Sequence, residues 1–305
     1  MKYFIITVDT EGDNLWEYVP GTIIHTQNSR YIPRFQELCN QFSFKPVWLI
    51  NYEMANDDYL VEYIKPKLRA NLCEVGIHLH AWNNPPLFEL QGPFNGNSYL
   101  IEYPLKVRRE KFEVLFNLLS ERFNFKPVSH RAGRWAMDDD YFKLLEEFGI
   151  TTDCSFTPGI NWQNNPGSTT MNGSNYSSVR HTAHWVGKIF EVPVTILGSR
   201  NPLSGSFKQK IKTMLLGKQI WLRPSSFSLE EMKYVCKKSM NNDEVDYVEF
   251  MIHSSEFMPG GSPYFRDNES IEMLFNRISG LFKYASSMGY IGVTLQEYYQ
   301  IKNRG

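Results

Sequence analysis

Short runs rich in β-branched and aromatic residues alternate with longer amphipathic stretches from one end of this chain to the other. That order restricts the fold more than any other feature of the sequence. Residues 3–8 read as a buried strand, 31–42 as a helix, 46–50 as a second strand and 57–69 as a helix. Residues 73–79 form a third strand, and 105–123 a long amphipathic helix with Val107, Phe112, Leu115, Leu118 and Leu119 on one side. A short strand at 127–130 precedes a helix at about 138–148 that closes before Gly149. Residues 150–154 and 188–192 read as strands, Ser228-Leu-Glu-Glu231 is a capping box opening a helix, and 245–253 is a strong strand taken as apolar. Residues 271–288 are helical, 290–293 form a last strand, and Thr294-Leu-Gln-Glu297 caps a terminal helix. Such β-α alternation predicts an α/β fold on a parallel sheet, open or closed into a barrel. No break in composition separates two parts, so residues 1–305 are expected to form a single domain.

Two segments, 82–103 and 157–185, are rich in Asn, Gly, Pro and Ser and follow strands. They read as long loops at the strand carboxyl ends, where α/β proteins bind ligands. Lys plus Arg number 32 against 33 for Asp plus Glu, so the basic excess of a nucleic-acid binder is missing and no nucleic-acid partner is expected. Residues 208–218 form a local basic stretch, read as a solvated face. No run approaches the ~18 apolar residues of a membrane span. The apolar run at the N-terminus is too short for a signal peptide and meets an acidic cluster at once, so a cytoplasmic location is expected. Cys39, Cys73, Cys154 and Cys236 form no C-x-x-C pair and read as buried small hydrophobes.

The chemistry-bearing residues gather at strand ends. The first strand ends in Val8-Asp9-Thr10-Glu11-Gly12-Asp13; if it runs on through Glu11, period-two geometry points Asp9 and Glu11 to one side. Paired carboxylates there suit a base plus a metal ligand, with helix capping or a solvated turn as the other use. The third strand ends in His78-Leu79-His80, two imidazoles on one face, and imidazole is the commonest protein ligand for zinc. The fourth ends in Ser129-His130-Arg131-Ala132-Gly133-Arg134-Trp135, where Arg131 has the reach to hold a carboxylate or to serve a structural ion pair. The strand at 245–253 ends in His253, a general acid or base by position, or a capping histidine. A divalent cation, expected to be zinc, on Glu11, His78 and His80 would leave positions open for water and substrate. With Asp9 as base and His253 as acid, this is the set for metal-assisted hydrolysis of an ester or amide.

The order of a carboxylate pair, paired histidines, an arginine turn and a late strand-terminal histidine resembles the polysaccharide deacetylase family, the NodB-homology or carbohydrate esterase family 4 group. Thr7-Val-Asp-Thr-Glu-Gly-Asp13, Glu74-Val-Gly-Ile-His78, Phe148-Gly-Ile-Thr-Thr-Asp-Cys-Ser155, Glu191-Val-Pro-Val194 and Met251-Ile-His253 carry the resemblance over most of the chain. It implies a distorted (β/α) barrel of about seven parallel strands and metal-dependent deacetylation of sugars, in the manner of deacetylase-like proteins of cell-envelope polysaccharide clusters. Carried over, Asp9 is the base, Glu11 and His78 are metal ligands, Arg131 orients the base and His253 is the general acid. The motifs also depart from the family: Thr10 separates carboxylates that are adjacent there, and Asp13 competes as ligand. Trp82 stands where the family has its second histidine, and Arg131-Ala-Gly replaces an Arg-Pro-Tyr type motif. Either His80 substitutes as ligand or the metal is lost. Trp82, Arg134 and Trp135 are the expected saccharide contacts. Two other readings stand beside the deacetylase: a catalytically inactive glycan-binding protein on the same fold, and a hydrolase of a non-sugar C–N bond.

Overall fold

A computed structural model describes residues 1–13, 15–19, 21–94 and 97–304. The strands are β1 (Lys2–Thr10), β2 (Pro46–Ile50), β3 (Glu74–Leu79), β4 (Ser129–Ala132), β5 (Thr152–Asp153), β6 (His184–Val186), β7 (Ile189–Glu191), β8 (Ile196–Ser199), β9 (Lys218–Trp221), β10 (Tyr247–His253) and β11 (Tyr290–Gly292). The helices are α1 (Ile32–Gln41), α2 (Tyr52–Ala55), α3 (Asp58–Arg69), α4 (Leu105–Phe123), α5 (Asp139–Glu147), α6 (Phe207–Leu216), α7 (Leu229–Met240), α8 (Asn268–Ser287) and α9 (Leu295–Asn303). Side chains that the sequence supplies in the right places start them. Asn51 accepts from Met54 N, Asp57 from Leu60 N and Asp138 from Tyr141 N, while Ser228 and Thr294 form capping boxes.

Seven strands run parallel in the order β10-β1-β2-β3-β4-β5-β7, with β6 antiparallel at one edge and β11 paired to the start of β1. The expected α/β barrel of about seven parallel strands is therefore present, and its distortion has a definite place. Among the described residues no strand ladder joins β7 to β10. The seam is bridged instead by Tyr247 Oη to Pro193 O (2.9 Å), Glu249 N to Thr195 Oγ1 (2.8 Å) and Met251 N to Leu222 O (3.2 Å). The small β8–β9 hairpin lies off the main sheet and the sequence reading did not anticipate it.

The alternation of side chains along β1 divides the interior. Phe4, Ile6 and Val8 pack into the large apolar layer with the helices, while Ile5 belongs to a second cluster with Val47, Leu49, Tyr247 and, from α9, Leu295 and Tyr298. Thr7 and Asp9 continue the Ile5 face toward the carboxyl end of the strand. The barrel interior is thus apolar at one end and polar toward its mouth. The loops expected at 82–103 and 157–185 follow β3 and β5. All four cysteines are buried and unpaired.

Candidate active site

The mouth of the barrel is a cavity of about 210 Å³ lined by Asp9, Glu11, Leu15, Trp16, His78, His80, Trp82, Asn97, Arg134, Trp135 and His253. Glu11, His78, His80, Trp82, Arg134 and Trp135 line it, as do Asp9 and His253, while Asp13 does not and Arg131 lies one layer below.

Glu11 Oε2 stands 3.6 Å from His78 Nε2 and 3.2 Å from His80 Nε2, and the two Nε2 atoms are 3.0 Å apart. Among the described residues this is the only cluster of three such groups within 4.8 Å of one another. The local chain fixes each member. Ser254 Oγ and Asn28 Nδ2 hold the backbone of Glu11 at 3.2 and 2.9 Å. His78 Nδ1 faces the Arg131 carbonyl at 3.0 Å. A carbonyl only accepts, so Nδ1 carries the proton and Nε2 turns its lone pair to the cavity. The His80 ring lies on Trp82 at 4.3 Å and 18°. The donor set of one carboxylate and two imidazoles fits a divalent cation such as zinc, with His80 rather than Trp82 beside Glu11 and His78. His80 Nδ1 is buried without a partner, so Nε2, facing Glu11 and His78, is that ring's only engaged nitrogen. Asp13 does not join them: its carboxylate accepts from Gln27 N, Asn28 N and Asn28 Nδ2. Its side chain serves as a loop cap, the ordinary use of an Asp in a turn.

Asp9 is divided between two duties. Its Oδ1 accepts from Arg131 Nη1 at 2.6 Å, while Oδ2 faces His253 Nε2 at 3.7 Å and His78 Nε2 at 4.0 Å. Burial alone would raise its pKa, but Arg131, then His78 and His253, hold it below the ordinary carboxylate range. Glu11 follows the same pattern: burial opposes the charge, and His253, His78 and His80 more than restore it. For His78 burial works against the imidazolium, and Asp9 and Glu11 outweigh it, so its pKa is raised.

Three functional partners escaped the sequence reading. The strand expected to be apolar carries Glu249, fully buried, which accepts from Arg131 Nη2 and from Thr7 Oγ1. Arg131 therefore sits between two carboxylates rather than one, with its Nε on Cys154 O at 3.1 Å. Glu249 lies four residues before His253 and so on the same strand face; that period-two count is the signal that finds it. The second is Glu256, whose Oε1 is 2.9 Å from His253 Nδ1 and which Arg223 Nη2 also reaches at 3.1 Å. The third is Trp16, which sets its ring edge-on to His253 at 4.9 Å.

Arg134 and Trp135 both have left-handed backbones, with φ of 55° and 64°. Two consecutive non-glycine residues in this region store strain, and such strain gathers at binding sites. Arg134 is held by the carbonyls of Asn97 and Pro166, tying the two long loops together, and its guanidinium lies 4.1 Å over Tyr99. Trp135 lies under the Arg131 guanidinium at 4.9 Å and meets Trp221.

Comparison with solved structures decides the architecture. A protein assigned as a polysaccharide deacetylase from Mycobacterium smegmatis superimposes over 99% of this chain and 90% of its own, with a TM-score of 0.51 and 15% identity. This chain carries the polysaccharide-deacetylase fold. A protein assigned as a glycoside hydrolase/deacetylase from Parabacteroides distasonis matches over 99% of this chain and 72% of its own, with a TM-score of 0.57 and 11% identity. A 4-alpha-glucanotransferase from Thermococcus litoralis matches over 99% of this chain but 40% of its own, with a TM-score of 0.56 and 11% identity. The polysaccharide-deacetylase fold is thus shared with a transferase, and the reaction has to be argued from the site. No protein-family model matches the sequence, and no curated protein matches it. No helix among the described residues is long and apolar enough to cross a membrane.

Proposed function

We propose that this protein is a metal-dependent hydrolase that removes acetyl groups from an N- or O-acetylated saccharide, such as a cell-envelope polysaccharide precursor. The observation that carries the reading is the pairing of Asp9 with its neighbours. One carboxylate oxygen is neutralised by Arg131, and the other is free beside a Glu-His-His cluster, facing a histidine whose far nitrogen is already engaged. Glu11, His78 and His80 are the residues that would hold the metal. A divalent cation there would supply Lewis acidity that polarises an acetyl carbonyl.

The chain's own residues do the rest. Asp9 Oδ2 takes the proton from the attacking water, and Arg131 keeps the carboxylate ionised and aimed. The His253 imidazolium delivers its Nε2 proton to the departing amine or alkoxide and is left neutral, with Nδ1–H still donated to Glu256. Trp82 and Trp135 offer ring faces to a sugar, and Arg134 holds the loops around it.

The fold likeness to a protein assigned as a polysaccharide deacetylase supports this reading, with the cavity at the carboxyl ends of the strands, where such folds place their sites. The inactive glycan-binding reading draws on one observation, Trp82 in place of a histidine. Elemental analysis together with hydrolysis of a panel of acetylated sugars separates the two. Near one equivalent of divalent metal, lost in both His78→Ala and His80→Ala, with acetate release that Asp9→Asn lowers by about 10²- to 10⁴-fold, is the expected result. Turnover that survives His78→Ala, or a protein that takes up no added zinc, overturns it.

A further inference from the structure

Residues 208–218 form the solvated stretch that their charge suggests, but they expose an apolar face as well. Most of them belong to α6, a ten-residue helix in which no residue is buried. Its apolar residues face solvent: Phe207 is 79% exposed, Leu215 69%, Leu216 74% and Met214 49%. At 100° per residue, Phe207, Ile211, Met214 and Leu215 share one face, and Lys208 and Lys210 flank it with Lys212 beyond. The helix is well built in itself, with a capping box from Ser206 and Gln209 and Gly217 at φ 77° ending it. Yet ten residues are too few to hold a helix in water without a surface to pack on.

The charge around it identifies that surface. No acidic residue occurs from Val192 to Leu229, while Arg200, Lys208, Lys210, Lys212, Lys218 and Arg223 all fall there, in a chain of net charge −1. Lys218 and Arg223 are paired with Glu231 and Glu256. Among the described residues no carboxylate pairs with Lys208, Lys210 or Lys212. An apolar stripe bordered by unpaired lysines matches the interface of a bilayer whose headgroups are anionic.

We propose that α6 docks this protein on the surface of an anionic lipid bilayer, with Phe207, Ile211, Met214 and Leu215 at the acyl boundary and the lysines among the headgroups. The helix is carried by β8 and β9, and β9 ends at Trp221, whose ring is 6.0 Å from that of Trp135 in the cavity wall. Docking therefore holds the mouth of the barrel a short hairpin away from the membrane. The proposal does not depend on the chemistry assigned to the cavity.

Vesicle co-sedimentation of the full chain tests it, using phosphatidylcholine vesicles with and without phosphatidylglycerol. The expected result is partition onto the anionic vesicles, weakening with added salt and small on phosphatidylcholine alone. Lys208→Glu, Lys210→Glu and Lys212→Glu together should lower partition on the order of a hundredfold. Phe207→Ser with Leu215→Ser should abolish it. No α6 residue supports the core, so circular dichroism and acetate release from a soluble acetylated sugar should be unchanged in both variants. Failure to bind anionic vesicles, binding that both variants retain, or a dimer that Phe207→Ser with Leu215→Ser dissolves while vesicle binding is absent would overturn the proposal, the last by making a second copy the occupant.

Discussion

Glu249 shows how a single buried side chain sets the state of its neighbours. Burial raises its pKa to about 7, against the pull of the Arg131 guanidinium and the Thr7 hydroxyl. A carboxyl whose folded pKa lies above its unfolded value of 4.5 binds more protons folded than unfolded between those two values. It therefore favours the folded state at low pH, and that contribution is lost as pH rises from about 4.5 to about 7. Glu249→Gln keeps a hydrogen-bonding side chain against Arg131 and Thr7 without the charge. Denaturant titrations across this window should show wild-type stability falling more steeply than that of the variant; parallel curves would show that Glu249 stays ionised. With Glu249 neutral, Arg131 is left to Asp9 alone. His78, His80, Asp9 and Glu11 were legible in the sequence because each ends a strand or lies two residues from a companion. Glu249 was legible in principle, by counting back from His253, and was passed over because the strand around it is apolar. Glu256 had no such signal, since a 3₁₀ turn after β10 brings it back beneath His253.

At the scale of elements, the site depends on how closely β4 lies against β3. A Cβ added to Gly133 would meet the Leu79 carbonyl at 2.3 Å and His80 Cδ2 at 2.8 Å. Neither the strand backbone nor a ring stacked on Trp82 gives way freely. Gly133→Ala should cost about 1–3 kcal/mol of stability and weaken zinc binding about 10- to 100-fold by tilting His80. Isothermal titration with zinc, alongside denaturant unfolding, checks both, and normal affinity in a destabilised variant would separate His80 from the metal. Most strands and helices were readable from period and caps: the helix at 57–69 and that after Ser228 begin where Asp57 and the capping box place them. The β8–β9 hairpin was not, because its strands are four residues long and α6 between them shares the periodicity of any amphipathic surface helix.

For the whole molecule, Glu11 comes from the end of β1, and His78 and His80 come from β3 and just beyond it. A cation held between them ties two strands separated by β2, and it binds only the folded chain. Added zinc should raise the melting temperature in a concentration-dependent way, by about 2.7 kcal/mol of stability at a hundred times the dissociation constant. Chelator should reverse the rise, and His80→Ala should remove it. A rise that persists in His80→Ala, followed by differential scanning fluorimetry, would place the binding elsewhere.

The sequence alone determined the layered α/β order, the parallel sheet and the residues at the strand ends, because side-chain period and capping are local properties written in neighbouring positions. The tertiary structure alone decided which of those ends meet. Pairing β10 with β1 and curling the sheet carries Arg131 from β4 across the interior to Asp9 and Glu249, over sequence separations of 122 and 118 residues. It also decided that Asp13 turns to its loop and that α6 stands clear of the core, since what a polar or amphipathic residue packs against is set by distant segments rather than by its own stretch of chain.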